Sequence, residues 1–393
     1  MKILFLAPSI TINGHFGDSV RIRELISNLS KTNEVIALVQ AEQSESIPVI
    51  RSSKIEIVKV LRSHRLISSS FNSFFSSIKM LSNHNPEIVY ETAGGLFGIG
   101  CISKKLFNTP VIVDFHGFII DELRMMNENK YYRVLIRPIL DKIVLSSSDR
   151  IITVTPGLKK RFCQFYNIRE EKVRVVPNGV NTELFKPIDQ NKARYDLNLE
   201  EESYYIGFVG NLAPWQGVEC LVKAAPLILR EIREARFLIV GDGDLKMRLI
   251  EMVKDLGLSN KFVFTGKVKY EEVPKYINSC DVCVAPFKKS IKLLYGASPL
   301  KIYEYLACGK AVVASNMIDI KNLLEQINAG VVISPEDIHE LAYAIVRLLD
   351  DKKLREKMGM NGRHMVVKNY SWARIAEKVE EICKELIEER IKI

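Results

Sequence analysis

Two doubly wound α/β domains are predicted by three features of this 393-residue sequence. Short apolar runs alternate with stretches of helical spacing, the runs fall into two series, and a polar interval separates the series. A chain of this length accommodates two domains at roughly 100–200 residues each. With 47% hydrophobic and 26% charged residues it is neither disordered nor fibrous.

The first series is 3–7, 35–39, 55–60, 87–90, 111–114, 151–154 and 173–176; the second is 205–209, 237–240, 262–264, 282–285, 311–314 and 331–333. Continuous apolar runs with crossover helices between them predict parallel strands buried on both faces. The interval Val175 to Pro187, with the polar stretch Asp189 to Ser203, reads as the linker, giving domains over 1–190 and 191–371. From Trp372 to the end, Ile375, Val379, Ile382 and Leu386 form one apolar stripe of a final helix, about 372–393, which follows the completed second sheet.

Charge is uneven. Fifty-six Lys and Arg against 47 Asp and Glu give +9, of which residues 1–190 carry +7 and residues 191–393 carry +2. The first half is expected to meet something anionic, a phosphorylated lipid surface before nucleic acid, for which no recognised motif is present. Between Leu61 and Leu81, Arg62, His64, Arg65 and Lys79 flank Phe71, Phe74 and Phe75; the segment suits a membrane interface or ordinary core packing. The seven cysteines form no disulfide framework and point to a reducing, cytoplasmic compartment; Cys280 and Cys283 sit in an apolar run and read as packing residues of a strand. Met1 to Pro8 is too short for a signal sequence, and Ile88 to Ile102, interrupted by Glu91, falls short of the ~18 apolar residues of a membrane helix.

Ligands of open parallel sheets bind at the carboxyl ends of strands, so the following loops are where chemistry is sought. After the first strand, Gly14 and Gly17 open a helix; this is either an anion-binding turn or a plain one, and it lacks the third glycine of a dinucleotide fingerprint. In the second series, Gly210 to Gly217 and Gly241 to Asp244 each end a strand and open a helix. Before the 311–314 strand, Lys301 and Glu304 share one helix face: a cation suited to a diphosphate and a carboxylate suited to ribose hydroxyls, or else a surface salt bridge. Asp242 and Asp244 are too few ligands for a dedicated metal site.

Taken in order, several motifs resemble the retaining, nucleotide-sugar-dependent glycosyltransferases of family 4, with the GT-B fold, in which two Rossmann-like domains face each other across a cleft. They are the glycine loop with Arg21-x-x-Glu24-Leu25, Pro156-Gly157-Leu158-Lys159, Val175-Val176-Pro177-Asn178-Gly179-Val180-Asn181, Val240-Gly241-Asp242-Gly243, Phe264-Thr265-Gly266-Lys267, Glu304-Tyr305-Leu306-Ala307-Cys308-Gly309-Lys310 and Tyr370-Ser371-Trp372. The resemblance implies an N-terminal acceptor domain, a C-terminal donor domain and a final helix returning to the first. It places the ribose on Glu304, the base near Lys267, and Gly17, Gly241, Ser298 and Leu300 around the donor. It puts His116, in Asp114-Phe115-His116-Gly117, near the reacting sugar. Glu91 and Glu122 are acceptor-side candidates. No cofactor or metal is implied beyond the nucleotide sugar.

Three departures from the family pattern stand out. Asn211 and Gln216 occupy the positions of an Arg and a Lys that reach the diphosphate, Gly296 replaces a sugar-contacting Glu, and Pro299 removes a backbone donor. Lys301 is expected to compensate in part, and with His116 it is the candidate catalytic pair. His116 is expected to hydrogen-bond the sugar or the incipient charge, or else to cap the Gly117 turn. The expected function is transfer of a sugar to a hydroxyl of a glycan or lipid-linked acceptor in cell-envelope glycan synthesis, at the inner face of the membrane. The competing readings are a sugar-nucleotide epimerase of the same architecture and a weakly active binding subunit.

Overall fold

The computed structural model describes residues 1–12, 14, 17–41, 54–61, 66–92, 104–118, 120, 131–289 and 296–391. The chain forms two compact units, Met1–Asn178 with Trp372–Ile393, and Gly179–Ser371.

The first unit is built on strands β1 (Lys2–Thr11), β2 (Glu34–Ala41), β3 (Ile55–Leu61), β4 (Ile88–Thr92), β5 (Val111–Phe115), β6 (Arg150–Thr153) and β7 (Val173–Val175). They pair in the order β3-β2-β1-β4-β5-β6-β7, every pair parallel. Among the described residues its helices include α1 (Gly17–Leu29), α2 (Leu66–His84), α3 (Tyr131–Ser147) and α4 (Pro156–Tyr166). Strands β4 and β5 are buried along their whole length, as the apolar runs require of a sheet covered on both faces. Helix α4 starts where Thr155 Oγ1 accepts from Leu158 N at 3.0 Å with Pro156 in its first turn, and ends at left-handed Asn167.

The second unit carries β8 (Tyr204–Val209), β9 (Ala235–Val240), β10 (Phe262–Gly266), β11 (Val282–Ala285), β12 (Ala311–Ser315) and β13 (Gly330–Ile333), in the order β10-β9-β8-β11-β12-β13 and again all parallel. Its helices are α5 (Gln190–Asp196), α6 (Val218–Glu231), α7 (Lys246–Asp255), α8 (Val273–Ser279), α9 (Leu300–Ala307), α10 (Ile318–Gln326), α11 (Ile338–Asp350) and α12 (Lys352–Asn369); α13 (Trp372–Ile391) follows and belongs to the first unit. Alternate residues of the same strands feed two cores. Ile206, Phe208, Phe237, Ile239, Val282 and Val284 pack in one. Tyr205, Val209, Leu238, Val240, Cys283 and Ala285 pack in the other.

All thirteen expected strands are present, with ends moved by a few residues. The unit boundary is a correction: it lies after Asn178 rather than at 190. The segment that read as linker is structural, because Val180 and Phe185 are buried in the second unit's core and Ile188 N donates to Asn278 Oδ1 at 3.1 Å. The expected C-terminal stripe is buried, and α13 packs on α1, where Thr32 Oγ1 donates to Glu380 Oε2 at 2.8 Å. Cys280 and Cys283 are fully buried in the second core. Of the basic, aromatic segment, Phe75 is 65% exposed, while Arg62, His64 and Arg65 and the side chains of Phe71 and Phe74 lie outside the described residues. Among the described residues no helix is long and apolar enough to cross a membrane.

Candidate active site

In the second unit the loops after β8, β9 and β10 are stitched together at the carboxyl edge of the sheet. Gly210 N donates to Val240 O at 2.9 Å, Leu212 N to Asp242 O at 2.9 Å, and Gly241 N to Gly266 O at 3.0 Å. Two glycines make this approach possible. Gly241, at φ +127°, would place a Cβ 2.0 Å from the Gly210 carbonyl oxygen, and Gly210, at φ +144°, would place one 2.7 Å from Lys301 Nζ.

That ammonium is the centre of this half of the site. Lys301, in the first turn of α9, is only 8% exposed; its Nζ donates to Gln216 Oε1 at 2.8 Å and stands 3.8 Å above the Phe208 ring centre. No described carboxylate pairs with it. Burial pulls its pKa down to about 7 against an opposing pull from Glu304. Glu304, one helical turn on and equally buried, accepts from Tyr270 Oη at 3.1 Å, and burial raises its pKa to about 7 against the pull of that hydrogen bond and of Lys301. The two groups share a helix face, as their spacing predicts, yet they are not the surface salt bridge that was the alternative.

The neighbouring candidates fall around this pair. Gln216 touches Lys301 directly. Asn211 Oδ1 lies 2.4 Å from where a Cβ of Gly243 would stand, against the loop after β9. Ser298 is hydrogen-bonded to Tyr303 Oη at 3.0 Å, Leu300 opens α9, and Lys267 is exposed just beyond β10. Asp242 accepts from Gly243 N and Lys246 Nζ, and among the described residues no group of three or more His, Cys, Asp or Glu is disposed to hold a metal.

The first unit holds a second polar cluster, at the carboxyl end of β5. Asp114, wholly buried, accepts from Arg21 Nε at 2.9 Å, Arg21 Nη2 at 3.4 Å and Tyr90 Oη at 2.6 Å, and faces His116 Nε2 at 3.1 Å. The other ring nitrogen, His116 Nδ1, faces Asp18 Oδ1 at 3.0 Å. Arg21 is completed by the carbonyls of Val176 and Pro177 and by Asn178 Oδ1. Burial works against charge at both Asp114 and His116, but Arg21 and His116 hold the carboxyl well below the usual range, and Asp114 and Asp18 lift the imidazole to about 9. His116 therefore sits between two carboxylates. Gly17 and Asp18 open α1 beside it. Glu91 is buried in β4, and Glu122 lies outside the described residues.

Sequence reasoning quoted Arg21 only as part of a motif and missed Tyr90 and the partnership of Asp114 with His116. The signal was present: residues two apart at a strand end point the same way. Tyr270, far from Glu304 in sequence, left no comparable signal.

Two family models match the chain: "Glycosyltransferase Family 4" over residues 17–184 and "Glycosyl transferases group 1" over residues 189–365. The chain belongs to glycosyltransferase family 4. This family 4 chain is 31% identical to an uncharacterized glycosyltransferase of Methanocaldococcus jannaschii, over 60% of each protein, and 24% identical to a second from that organism, over 98% of this chain and 99% of the other. It is 25% identical to the UDP-Gal:alpha-D-GlcNAc-diphosphoundecaprenol alpha-1,3-galactosyltransferase of Escherichia coli, over 80% of this chain and 79% of that one. In fold it resembles sucrose-phosphate synthase of Thermosynechococcus elongatus, with a TM-score of 0.79, 20% identity and 98% of both chains covered. It also resembles Anabaena HepE in complex with UDP-glucose, with a TM-score of 0.74, 18% identity and 98% and 100% covered. The two parallel-sheet units are those of the GT-B fold.

Proposed function

We propose that this protein is a retaining glycosyltransferase that moves a sugar from a nucleoside diphosphate sugar to a hydroxyl of a glycan or lipid-linked acceptor. The observation that carries the reading is the buried Lys301 ammonium with no carboxylate partner among the described residues, one turn before the buried Glu304. A desolvated cation held by one amide oxygen and a ring face is under-satisfied until an anion arrives. Family membership, the UDP-glucose bound by HepE and the sugar nucleotide in the name of the E. coli relative support a nucleotide sugar as that anion.

In this reading Glu304 accepts from the ribose hydroxyls, and Lys301, brought to the edge of β8 by Gln216, takes over the charge that Asn211 and Gln216 lack. Departure of the diphosphate builds negative charge on its oxygens while the sugar becomes oxocarbenium-like, so fixed cations lower the barrier. With retention, the leaving phosphate accepts the acceptor's proton, and no side chain of high basicity is needed. No metal takes part: activity is expected to survive a chelator, and loss with rescue by magnesium or manganese overturns that point. The lipid-linked acceptor named for the E. coli relative and the +7 of residues 1–190 support work at an anionic membrane face.

The test is a thermal-shift screen of nucleotides and nucleotide sugars, followed by anomer analysis of the product by NMR. A diphosphate-dependent stabilisation lost in Glu304→Ala is expected. No stabilisation by any nucleoside diphosphate overturns the reading, and isomerised donor without acceptor supports an epimerase in its place.

A further inference from the structure

At the amino edge of the first unit's sheet, the edge away from Asp114, lies a charged cavity of about 450 Å³, where β6 and β7 begin and α3 and α13 end. Five cations line it, Lys104, Arg150, Arg169, Lys172 and Arg174, against three carboxylates, Asp149, Glu171 and Glu389, an excess of two positive charges. The carboxylates are already engaged. Asp149 accepts from Lys104 Nζ at 2.6 Å and from the backbone N of Val111, the first residue of β5, at 2.9 Å. Glu389 pairs with Arg150 Nη2, and the exposed Glu171 stands 3.5 Å from Arg169 Nε. Two cations are left short of anions. Lys172 Nζ donates to the carbonyls of Leu145 at 2.6 Å and Ser146 at 3.1 Å, and among the described residues no carboxylate pairs with it. Arg150 Nε is buried and has no hydrogen-bond partner among the described residues.

Strand register gathers these charges. Arg174 lies opposite Ile152 in the β6–β7 pair, and residues two apart on a strand point the same way, so Arg150 and Arg174 share one face of the sheet. Burial, and then the charge of Lys104, pull the Lys172 pKa down; Asp149 opposes them, and Arg169 and Arg150 add to the fall. Like charges crowded in this way are relieved by an anion. Small-molecule sites commonly span roughly 300–1,000 Å³ and are mostly apolar, whereas these walls are charged, so charge must dominate whatever they hold. Guanidinium forks and an ammonium match the oxygens of phosphate. We infer that this cavity binds a phosphate-bearing ligand of at least two negative charges, either a free phosphorylated molecule or a phosphomonoester headgroup. The site is separate from the proposed donor site. It belongs to the first unit, and it lies at the sheet edge opposite the one where open parallel sheets hold substrates, so its role is anchoring or regulation rather than transfer. Asp149 ties it to the start of β5, whose far end, ~13 Å on at about 3.3 Å per residue, carries Asp114. Part of the +7 of residues 1–190 is thereby located.

The probes are inorganic pyrophosphate, followed by calorimetry at about 0.15 M ionic strength, and phosphatidylcholine vesicles with and without phosphatidic acid, followed by co-sedimentation. Pyrophosphate is titrated into full-length Lys301→Met, so that the second unit's cation does not contribute. One saturable site is expected. Adding Arg169→Gln with Arg174→Gln, which leave the bonds of Lys172 to α3 intact, should weaken it roughly tenfold or more, and Lys172→Met should do the same. Glu171→Gln should instead tighten it, a gain that a purely structural ion-pair network does not produce. Vesicle binding that needs phosphatidic acid and is displaced by pyrophosphate supports a headgroup as the ligand. Pyrophosphate binding without vesicle binding supports a free phosphorylated molecule. Saturable binding of neither probe overturns the proposal, and so does binding that is equal in Lys301→Met, in its Arg169→Gln, Arg174→Gln derivative and in its Lys172→Met derivative. Nucleoside diphosphate binding at Lys301 and Glu304 is read in the separate thermal-shift screen, so failure here leaves the donor reading standing.

Discussion

Lys301 and Glu304 are poised in a way that only their burial explains. Each is drawn to about 7, so near neutral pH the pair comprises a partly deprotonated lysine and a partly protonated glutamate. On the proposed reading a nucleoside diphosphate should reverse both, because phosphate favours the ammonium and ribose hydroxyls favour the carboxylate. Calorimetry in buffers of different ionisation enthalpy should therefore show proton uptake on binding to Glu304→Gln, proton release on binding to Lys301→Met, and an intermediate value for the wild type. The same sign in both variants would exclude the assignment. Glu304→Ala should weaken binding by about 1–3 kcal/mol. Lys301→Ala should slow turnover roughly ten- to a hundredfold, more than Asn211→Ala or Gln216→Ala do. The reverse ranking would move the diphosphate elsewhere. The spacing of Lys301 and Glu304 made this pair legible in the sequence. The polarity of their surroundings was not, since Phe208, Gln216 and Tyr270 reach them through the fold.

His116 makes a stability prediction of opposite form. Its pKa in the folded chain, about 9, exceeds the 6.5 of an unfolded histidine, so its contribution is complete below about 6.5 and is lost as pH rises through 9. The gap amounts to roughly 3 kcal/mol at most. Melting curves of wild type and His116→Gln should converge between pH 6.5 and 9.5. A gap constant with pH would mean that the ring is not held charged.

Among the elements, strands were the most legible part of the fold, because a parallel strand covered on both faces must be apolar at every position, whichever way each side chain points. Helix α3 was the least legible. Three of its apolar residues face outward although Leu145 is buried: Ile136, Ile139 and Ile143 are 50%, 63% and 56% exposed, beside exposed Lys142. Inward stands Asp141, accepting from Arg137 Nε at 2.7 Å and from Tyr166 Oη at 3.0 Å. A helix that buries a carboxylate and shows solvent three isoleucines one turn apart presents a face fit for an apolar cover. If the enzyme works at an anionic membrane, this face should carry the contact. Co-sedimentation with anionic vesicles at low salt should then fall when Ile136, Ile139 and Ile143 are all changed to Ser, and should be unaffected by Phe75→Ser. High salt should release the wild type, since the attraction decays within a Debye length of about 8 Å. Equal binding by the triple variant would remove α3 from the interface.

At the scale of the whole molecule, the sequence showed that there are two sheets but misplaced the seam between them. The polar character of residues 189–203 drew the boundary late, whereas burial of Val180 and Phe185 decides it. Each unit has its own core, and each contains one of the two tryptophans: Trp372 is buried in the first unit and Trp215 lies in the loop after β8 of the second. The proposed donor residues Gln216, Lys301 and Glu304 all belong to the second unit, so a nucleoside diphosphate should stabilise that core first. At a hundred times its Kd a ligand adds about 2.7 kcal/mol to the unit that binds it. In Trp215→Phe, fluorescence reports the first unit alone through Trp372, while hydrogen exchange follows both sheets at once. Saturating nucleoside diphosphate should raise protection of the amides in β8, β9, β11 and β12 and leave the Trp372 transition near its unliganded temperature. Addition of Glu304→Ala should abolish the gain in protection. If instead the Trp372 transition rises as far as the second sheet's, the two cores unfold as one cooperative body and the donor's binding energy is shared by the whole chain.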